Sequence, residues 1–295
     1  MKSNLINGWS YLFFWSSVAP LLKRILGAKL HHKLGMFPRV GYWPQISNPR
    51  SFNERIMHLK FHTADPTFAR ISDKYEVRDY VRELCGDELL VDLYHVTEDP
   101  TRIPFHDLPN EFVLKPTHGS GWVKIVTDKQ SEDFGELTNL CTEWLSQRFD
   151  PLKEEYWYED ITPRILVEEL LPSKVGEVPR DFKFFVFGGT VEYIQVDMDR
   201  FSGISRRFYT PDWEPQDFTR RYPLGPVIDE PTNLAKMISI AETLGQDFEF
   251  VRVDLYDTPK GVKFGELTLA PGSGGSRFVP IEYDFILGTC WEKNN

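Results

Sequence analysis

The residues best placed to do chemistry lie between Phe250 and Gly275, in the stretch FVRVDLYDTPKGVKFGELTLAPGSGG. Val251, Val253 and Leu255 alternate with Arg252, Asp254 and Tyr256, a period of two that separates the apolar and polar faces of a strand. Asp257-Thr258-Pro259-Lys260-Gly261 carries turn chemistry, so a hairpin is expected. Closing it as a five-residue loop pairs Tyr256 with Val262. That register sets Arg252 opposite Glu266 and leaves Asp254 one diagonal step away on the same face, with Thr268 beside them. Two carboxylates beside an arginine suit a hard divalent cation shared with phosphates, because Mg²⁺ takes one or two protein carboxylates plus phosphate oxygens. The same pattern also fits a cross-strand Arg–Glu pair on a surface sheet.

Other elements must bring partners to that face. Phe112–Val126, FVLKPTHGSGWVKIV, reads as strand, glycine loop, strand, with Lys115 ending the first strand and the Gly119-Ser120-Gly121 amides able to wrap an anion. No helix follows the glycines, so this is not a P-loop, and an ordinary glycine-rich hairpin is the plainer alternative. ITPRILVEELLP gives a strand whose exit at Glu168 and Glu169 can present backbone groups to a heterocycle edge. RDFKFFVFGGTVEYIQVDMDR is a hairpin across Gly188-Gly189 that ends with Asp197, Asp199 and Arg200 close together.

Helices flank these strands. Ser51 and Glu54 have capping-box spacing ahead of Ile56 and Leu59. SDKYEVRDYVRELCG follows as a helix capped by Ser72, buried along Val77, Tyr80, Val81 and Leu84 and stopped by Gly86. On its exposed side Lys74 and Arg78 stand one turn apart, where they can reach an anion or simply be solvated. A strand is expected from Leu89 to Val96, and a helix through Leu137, Leu140, Trp144 and Leu145. Strand–turn–strand units flanked by helices, without a βαβ repeat, indicate an α+β protein with mostly antiparallel sheets.

A chain of 295 residues accommodates roughly two domains or one large α/β unit. Lys plus Arg number 34 against 44 Asp plus Glu, a net charge of −10 that argues against a general nucleic-acid binder. Cys85, Cys141 and Cys290 match no metal spacing and make no even disulfide framework, so a reducing cytoplasm is the simplest compartment. Residues 4–30 are rich in Trp and Phe, but Pro20 and Ser16-Ser17 break the run short of the ~18–20 unbroken apolar residues a membrane span needs. Most of the positive charge follows the apolar part, unlike a secretory signal. Two readings stay open: a helix packed on the domain or a partner, and a peripheral anchor at the inner face of the cytoplasmic membrane.

The order of Lys115 with its glycine loop, VEELL, DFKFFVF, RVD and GELTLAPGSG resembles that of ATP-grasp enzymes. The wording SFNERI, SDKYEVRDYV, FVLKPTHGSG and FGELTLAPGSG is similar to the TupA-like branch, associated with teichuronopeptide and cell-surface polysaccharide biosynthesis. No one of these motifs is specific, but five in order over roughly residues 45–290 are. The resemblance implies an α+β ATP-grasp fold with the nucleotide held between two antiparallel-sheet-containing subdomains, 111–175 and 176–295. An N-terminal apolar helical segment, 1–47, and a helical or mixed region, 48–110, would precede them.

It also implies roles. Lys74 and Lys115 would touch ATP phosphates while His118-Gly119-Ser120-Gly121 closes over them. Glu168, Glu169 and Leu170 would be the hinge at the adenine edge, and Asp181 the ribose carboxylate. Lys183 would reach phosphate, joining Lys115 and Arg252 as the catalytic set, with Arg252 steadying an oxyanion. Asp254 and Glu266 match the Mg²⁺ carboxylates. The family commonly has Asn two residues after the glutamate, and this chain has Thr268, whose hydroxyl can ligate Mg²⁺ directly or through water. Gly272, Ser273, Gly274 and Arg277 stand where an acceptor carboxylate or acylphosphate could lie, with Asp199 and Arg200 also assigned to substrate. The implied activity is ATP-dependent carboxylate–amine ligation, joining an amino acid or amine to a glycan or glycan-precursor carboxylate. A phosphotransferase acting on a glycan hydroxyl and a non-catalytic nucleotide-binding assembly protein are the alternatives. A glycosyltransferase lacks support, because the Asp197-to-Asp199 spacing resembles a segment of the ATP-grasp hairpin.

Overall fold

A computed structural model describes residues 2–14, 16–119, 121–148, 151–172, 180–198 and 203–292. Three helices come first: α1 (Lys2–Phe14), α2 (Ala19–Leu26) and α3 (Ala28–Val40). Helices α1 and α3 approach closely because Gly35 has no side chain, and a β-carbon there would come within 2.3 Å of the Phe14 ring. Phe13, Phe14, Met36 and Val40 then form one apolar cluster with Ile46 and Met57. Among the described residues no helix is long and apolar enough to cross a membrane.

Helix α4 (Phe52–His62) starts at the expected capping box, with the Ser51 hydroxyl accepting from Glu54 N–H and the Glu54 carboxylate accepting from Ser51 N–H. Its first residue, Phe52, is fully buried against Phe185, Phe187, Phe250, Phe278 and Trp291, so the cap fixes the entry of a central core side chain. Burial of one such ring is worth ~1.5–3 kcal/mol. The next helix differs from expectation. Ser72 ends α5 (Pro66–Ser72), and α6 (Val77–Cys85) begins only after a turn in which Asp73 accepts from the N–H groups of Tyr75 and Glu76. Carboxylate acceptors satisfy such orphan amides better than a hydroxyl, so the aspartate takes the capping role. Gly86 stops α6 as expected.

The first sheet contains β1 (Leu93–Thr97), β2 (Phe112–Pro116), β3 (Lys124–Val126) and, beyond α7 (Phe134–Ser146), β4 (Ile165–Glu168). Its order is β1-β4-β2-β3, antiparallel throughout. The strand expected from Leu89 is shorter, because Asp87–Leu89 forms a 3₁₀ turn that buries Leu89. Helix α7 packs Leu137, Cys141 and Trp144 on Phe112, Leu114, Ile165 and Val167 as the core of this lobe.

The second sheet is built from β5 (Asp181–Phe187), β6 (Thr190–Met198), β7 (Ser205–Tyr209) and β8 (Pro215–Gln216), with β9 (Thr219–Arg220) and α8 (Leu234–Gly245) leading to the hairpin β10 (Phe250–Thr258) and β11 (Gly261–Thr268). Its order is β11-β10-β5-β6-β7-β8. Strand β5 is buried on both faces: Phe182, Phe184 and Val186 fill one layer, while on the other Phe185 and Phe187 pack with Phe52 and Lys183 meets Asp181 and Asp254. After β11, β12 (Phe278–Val279) pairs with β9, and α9 (Glu282–Thr289) packs on α4.

The hairpin register also differs. The turn is Thr258–Gly261, and pairing runs Tyr256↔Lys263 and Leu255↔Phe264 until an extra residue, Gly265, is accommodated in β11. Beyond it Asp254 faces Glu266 and Arg252 faces Thr268. A β-carbon on Gly265 would sit 3.0 Å from the Asp254 carbonyl oxygen, which is why the bulge carries glycine. The expected loop of five residues would have given Arg252↔Glu266. The tighter turn and the bulge together shift that end by two positions, an even number, so the face assignment survives.

Candidate active site

On the bulged hairpin, three side chains converge on one atom of a fourth. Arg252 Nη2 donates to Asp254 Oδ2 at 2.7 Å, to Glu266 Oε1 at 2.6 Å and to Thr268 Oγ1 at 3.0 Å, while Nε donates to Asp254 Oδ1 at 2.6 Å. Thr268 Oγ1 also donates to Glu266 Oε1 at 3.0 Å. From the neighbouring strand β5, Lys183 Nζ reaches Asp254 Oδ2 at 2.5 Å and bonds Asp181 as well. A single cationic atom therefore touches both carboxylates and the threonine hydroxyl, which is the donor geometry a shared divalent cation needs. Among the described residues no group of three or more His, Cys, Asp or Glu side chains is placed to hold a metal. A cation here would complete its shell with ligand oxygens, as Mg²⁺ commonly does with phosphates.

Burial and charge compete across this face. Burial pushes the Asp254 carboxyl up to about 7 against the pull of Arg252 and Lys183. Burial also opposes the charge on Lys183, but Asp181 and Asp254 outweigh it and hold the ammonium above its ordinary range. Arg252 is likewise raised, Asp254 and Glu266 overcoming burial. Glu266 is lowered, with Arg252, Lys183 and Lys74 prevailing over burial. Its side chain is 44% exposed against 2% for Asp254, so the face opens to a ligand on the Glu266 side.

The first sheet supplies the opposing wall. Lys74 lies in the turn between α5 and α6, where its Nζ donates to the Gly119 carbonyl. Burial pushes its ammonium down to about 8, Glu266 pulling the other way and Lys115 reinforcing the shift. Lys115 Nζ pairs with Glu168 Oε2 at 2.5 Å, and Arg78 Nη1 reaches Glu168 Oε1 at 3.4 Å. The expectation that Lys74 and Arg78 stand on an exposed helix face is therefore corrected. The helix starts four residues later than expected, at Val77, turning Lys74 toward Gly119 and Arg78 toward the buried Glu168. At the strand exit, Glu169 N–H donates to Asp92 O at 2.9 Å and its carboxylate pairs with Lys260 at 2.5 Å. That N–H is thus already used within the protein. Lys260 belongs to the β10–β11 turn, and Lys263 donates to Glu88 O and Leu90 O at 2.9 Å each, so the hairpin tip is tied to the first lobe.

Not every expected residue joins this group. Ser120, Asp199 and Arg200 lie outside the described residues. His118 turns toward the end of α7, its Nε2 bonding Gln147 O at 3.0 Å, and burial pushes its imidazole below the ordinary range. It lines a cavity of about 700 Å³ with Lys23, Arg148, Glu154, Glu159 and Tyr158. Tyr158 interacts electrostatically with Glu266 and Arg252, which connects that cavity to the hairpin face. Nothing in the local spelling of residues 145–163 signalled it. Asp197 is held bidentately by Arg206, at 2.5 and 2.9 Å, and is structural. Gly272, Ser273 and Gly274 follow β11 in a left-handed turn, φ 59, 57 and 69, with Lys60 Nζ donating to both Ser273 O and Oγ at 2.9 Å.

Comparison with known proteins bears on the family to which the chain belongs. No curated protein matches the chain. Among solved structures it is similar to the D-alanine–D-alanine ligase from Helicobacter pylori, with 17% identity and a TM-score of 0.43 over 76% of this chain and 61% of that one. The chain thus spans less than two thirds of that ligase's length. It is also similar to the D-alanine–D-alanine ligase from Bacillus anthracis, with 16% identity, a TM-score of 0.44, and 76% and 67% of the two chains covered. The ATP-grasp ligase PsnB complexed with a phosphomimetic variant of its minimal precursor, Mg and ADP gives 12% identity and a TM-score of 0.43, covering 94% and 73%. Likenesses of this degree decide nothing alone. The model of the TupA-like ATP-grasp family matches residues 54–291, most of the chain, and on that match the chain belongs to the TupA-like ATP-grasp family.

Proposed function

We propose that this chain is an ATP-dependent carboxylate–amine ligase of cell-surface polysaccharide biosynthesis, joining an amino acid or amine to a glycan or glycan-precursor carboxylate. The observation that carries the reading is the convergence of Asp254, Glu266 and Thr268 on one cationic atom, beside Lys183 and opposite Lys74 and Lys115. Asp254 and Glu266, with Thr268, would hold Mg²⁺, which when bound supplies charge stabilisation to phosphate oxygens. Lys183 and Lys115 offset charge on the transferring phosphoryl group, and Lys74 draws the glycine loop over it. Glu168 keeps Arg78 as a partner when Lys115 turns to phosphate. A carboxylate oxygen attacks the γ-phosphorus and ADP leaves. The amine nitrogen then attacks the acyl carbon, phosphate leaves with the C–O bond, and the amine gives up a proton. Arg252, released from its carboxylates, steadies the oxyanion formed at that carbon.

Hydroxylamine trapping tests this. Protein, Mg²⁺, ATP and a uronate without amine should yield a hydroxamate. A stable phosphorylated hydroxyl product without hydroxamate would favour the phosphotransferase, and nucleotide binding without turnover over pools of uronates and amines would favour the assembly protein.

Residues 4–30 also supply, in this reading, a peripheral contact with the inner face of the cytoplasmic membrane. No acidic residue precedes Glu54, whereas seven Lys and Arg do, and Trp9, Tyr11, Leu12, Leu21 and Ile25 are exposed beside them. Apolar side chains with flanking cations suit an anionic interface. The protein should co-sediment with phosphatidylglycerol vesicles and not with phosphatidylcholine, and Leu21→Ser with Ile25→Ser should release it. Equal recovery on both vesicle types would place the segment on a partner or the core instead.

A further inference from the structure

We infer that the cavity lined by His118 and Tyr158 seats the amine substrate and selects one that carries a second positive charge, a diamine or a basic amino acid. The inference rests on the ligase reading and narrows its amine to a molecule with two cationic groups. The cavity lies between Lys23 of α2, the end of α7 and residues 154–163. Its volume of about 700 Å³ falls in the range of small-molecule sites, ~300–1,000 Å³. Two of its lining residues stand in the field of the hairpin face. Tyr158 interacts with Glu266 and Arg252, and His118 interacts with Lys74, which itself feels Glu266. A molecule held here is thus within electrostatic reach of the groups assigned to the metal and the oxyanion.

Hydrogen bonding in the cavity wall asks for a donor. His118 is 3% exposed, and its Nδ1 is buried without a hydrogen-bond partner. Its other nitrogen fixes what that atom is. Nε2 meets the Gln147 carbonyl oxygen at 3.0 Å, and a carbonyl only accepts, so Nε2 carries the proton. Burial disfavours a second proton on the ring, which leaves Nδ1 with its lone pair. A buried acceptor with no donor is a standing cost, and an N–H group of a bound amine removes it.

The charges round the cavity ask for a cation. Glu154, Glu155, Glu159 and Asp160 line it against Lys23 and Arg148. Lys23 Nζ already pairs with Glu154 Oε1 at 2.7 Å, so α2 closes this side with a bonded cation. Among the described residues no lysine, arginine or histidine comes within ion-pair distance of the exposed Glu159 or Asp160. Exposed carboxylates are ordinary by themselves. Here they share a wall with an acceptor that lacks its donor, and a cleft lined mainly by one sign of charge concentrates ions of the other. One ammonium group suits the carboxylates, while the N–H of a second amine suits His118. An acidic amino acid would bring its own carboxylates against that field.

Calorimetry with the full chain, saturating Mg²⁺ and a non-hydrolysable ATP analogue tests the inference. The titrants are cadaverine, lysine, pentylamine and glutamate. At least one of the first two should bind about tenfold or more tighter than the last two, as expected for one added charge-assisted contact. A preference for cadaverine over lysine means that the seat refuses a carboxylate, and the reverse means that it accepts one beside the second cation. Glu159→Gln combined with Asp160→Asn should erase most of the preference without moving the melting temperature, since both side chains are exposed. In protein with isotope-labelled histidine, nitrogen NMR should show the His118 Nδ1 resonance moving on addition of the tightest titrant. Equal binding of all four, tightest binding of pentylamine or glutamate, a preference that survives the double variant, or an unmoved His118 resonance overturns the inference. Failure of the ligase reading would look different, as absence of hydroxamate in the amine-free trap whatever amine is preferred. His118 is left unsubstituted because its Nε2 holds the end of α7.

Discussion

The hairpin face and the Gly272 turn belong to one continuous run of chain, yet they handle charge in opposite ways. On the hairpin, Arg252 and Lys183 are matched by Asp181, Asp254 and Glu266, and every one of them is bonded to another. Around the turn, Arg221 and Arg277 are exposed with no carboxylate within ion-pair distance among the described residues, and buried Arg220 feels the pull of Asp284. The first arrangement is self-sufficient and can exchange one internal cation for an external one. The second leaves Arg221 and Arg277 to solvent. Within a single strand and its sequel, one face balances its charges internally and the next segment does not.

Removing the balance should have the largest effect. Glu266→Gln is expected to cut turnover by on the order of 10³-fold, since metal charge stabilisation is worth several kcal/mol and each ~1.4 kcal/mol is tenfold. Its side chain is half open to solvent, so the melting temperature should hardly move. Asp254→Asn should lose as much activity and also melt earlier, because two buried cations lose their partner. Steady-state kinetics with calorimetric melting separates the two, and wild-type turnover in Glu266→Gln would remove the metal assignment.

Arg252→Lys asks whether the guanidinium does more than balance charge. A lysine keeps the charge but loses the planar fork, so turnover should fall roughly 10²–10³-fold while ATP affinity stays within a few-fold. Equal losses in both would mean that Arg252 only organises the face.

Lys115→Met should weaken ATP binding about tenfold or more, the worth of a charge-assisted bond to phosphate. It also strands the buried Glu168 carboxylate, a destabilisation of ~1–3 kcal/mol that Arg78 only partly relieves. Adding Glu168→Gln should recover the melting temperature but not the affinity. Recovery of both would make Lys115 a structural partner.

The smallest expected effect is on pH. Burial holds Lys74 near 8 in the free protein, so it is cationic below that value and loses its charge as pH rises through it. Bound phosphate favours the charged form, so ATP binding near pH 8.5 should take up a proton and affinity should decline from pH 7.5 to 9. Lys74→Arg should flatten both, as read by calorimetry in buffers of different ionisation enthalpy. An unaltered proton uptake would assign it to another group.

Much of this was legible in residue order. The period of two in β5 and β10, the Ser51–Glu54 box and the spacing of Arg252, Asp254, Glu266 and Thr268 report local rules that the packed chain obeys. What could not be read arises from contacts between distant segments. Arg39 meets Gly275, Tyr158 reaches the field of Glu266, and Asp73 rather than Ser72 caps the turn that leads into α6, each decided by tertiary packing or by competition between neighbouring caps. The absence of acidic residues before Glu54 was in plain view, and a running charge count along the chain would have found it.

Gly265 has a consequence for how this strand tolerates change. Side chains on a strand alternate like the two colours of a chessboard row, and the bulge is the single step that changes colour midway. Flattening the bulge with the glycine kept would leave the composition of the hairpin untouched and its backbone still able to pair. It would nonetheless send Glu266 and Thr268 into the apolar layer and bring Leu267 out to face Arg252. The function of this face therefore depends on phase as much as on residue identity. In relatives, a one-residue insertion between the turn and the glutamate, without a second bulge to absorb it, should mark a chain that has lost the site while keeping all of its letters.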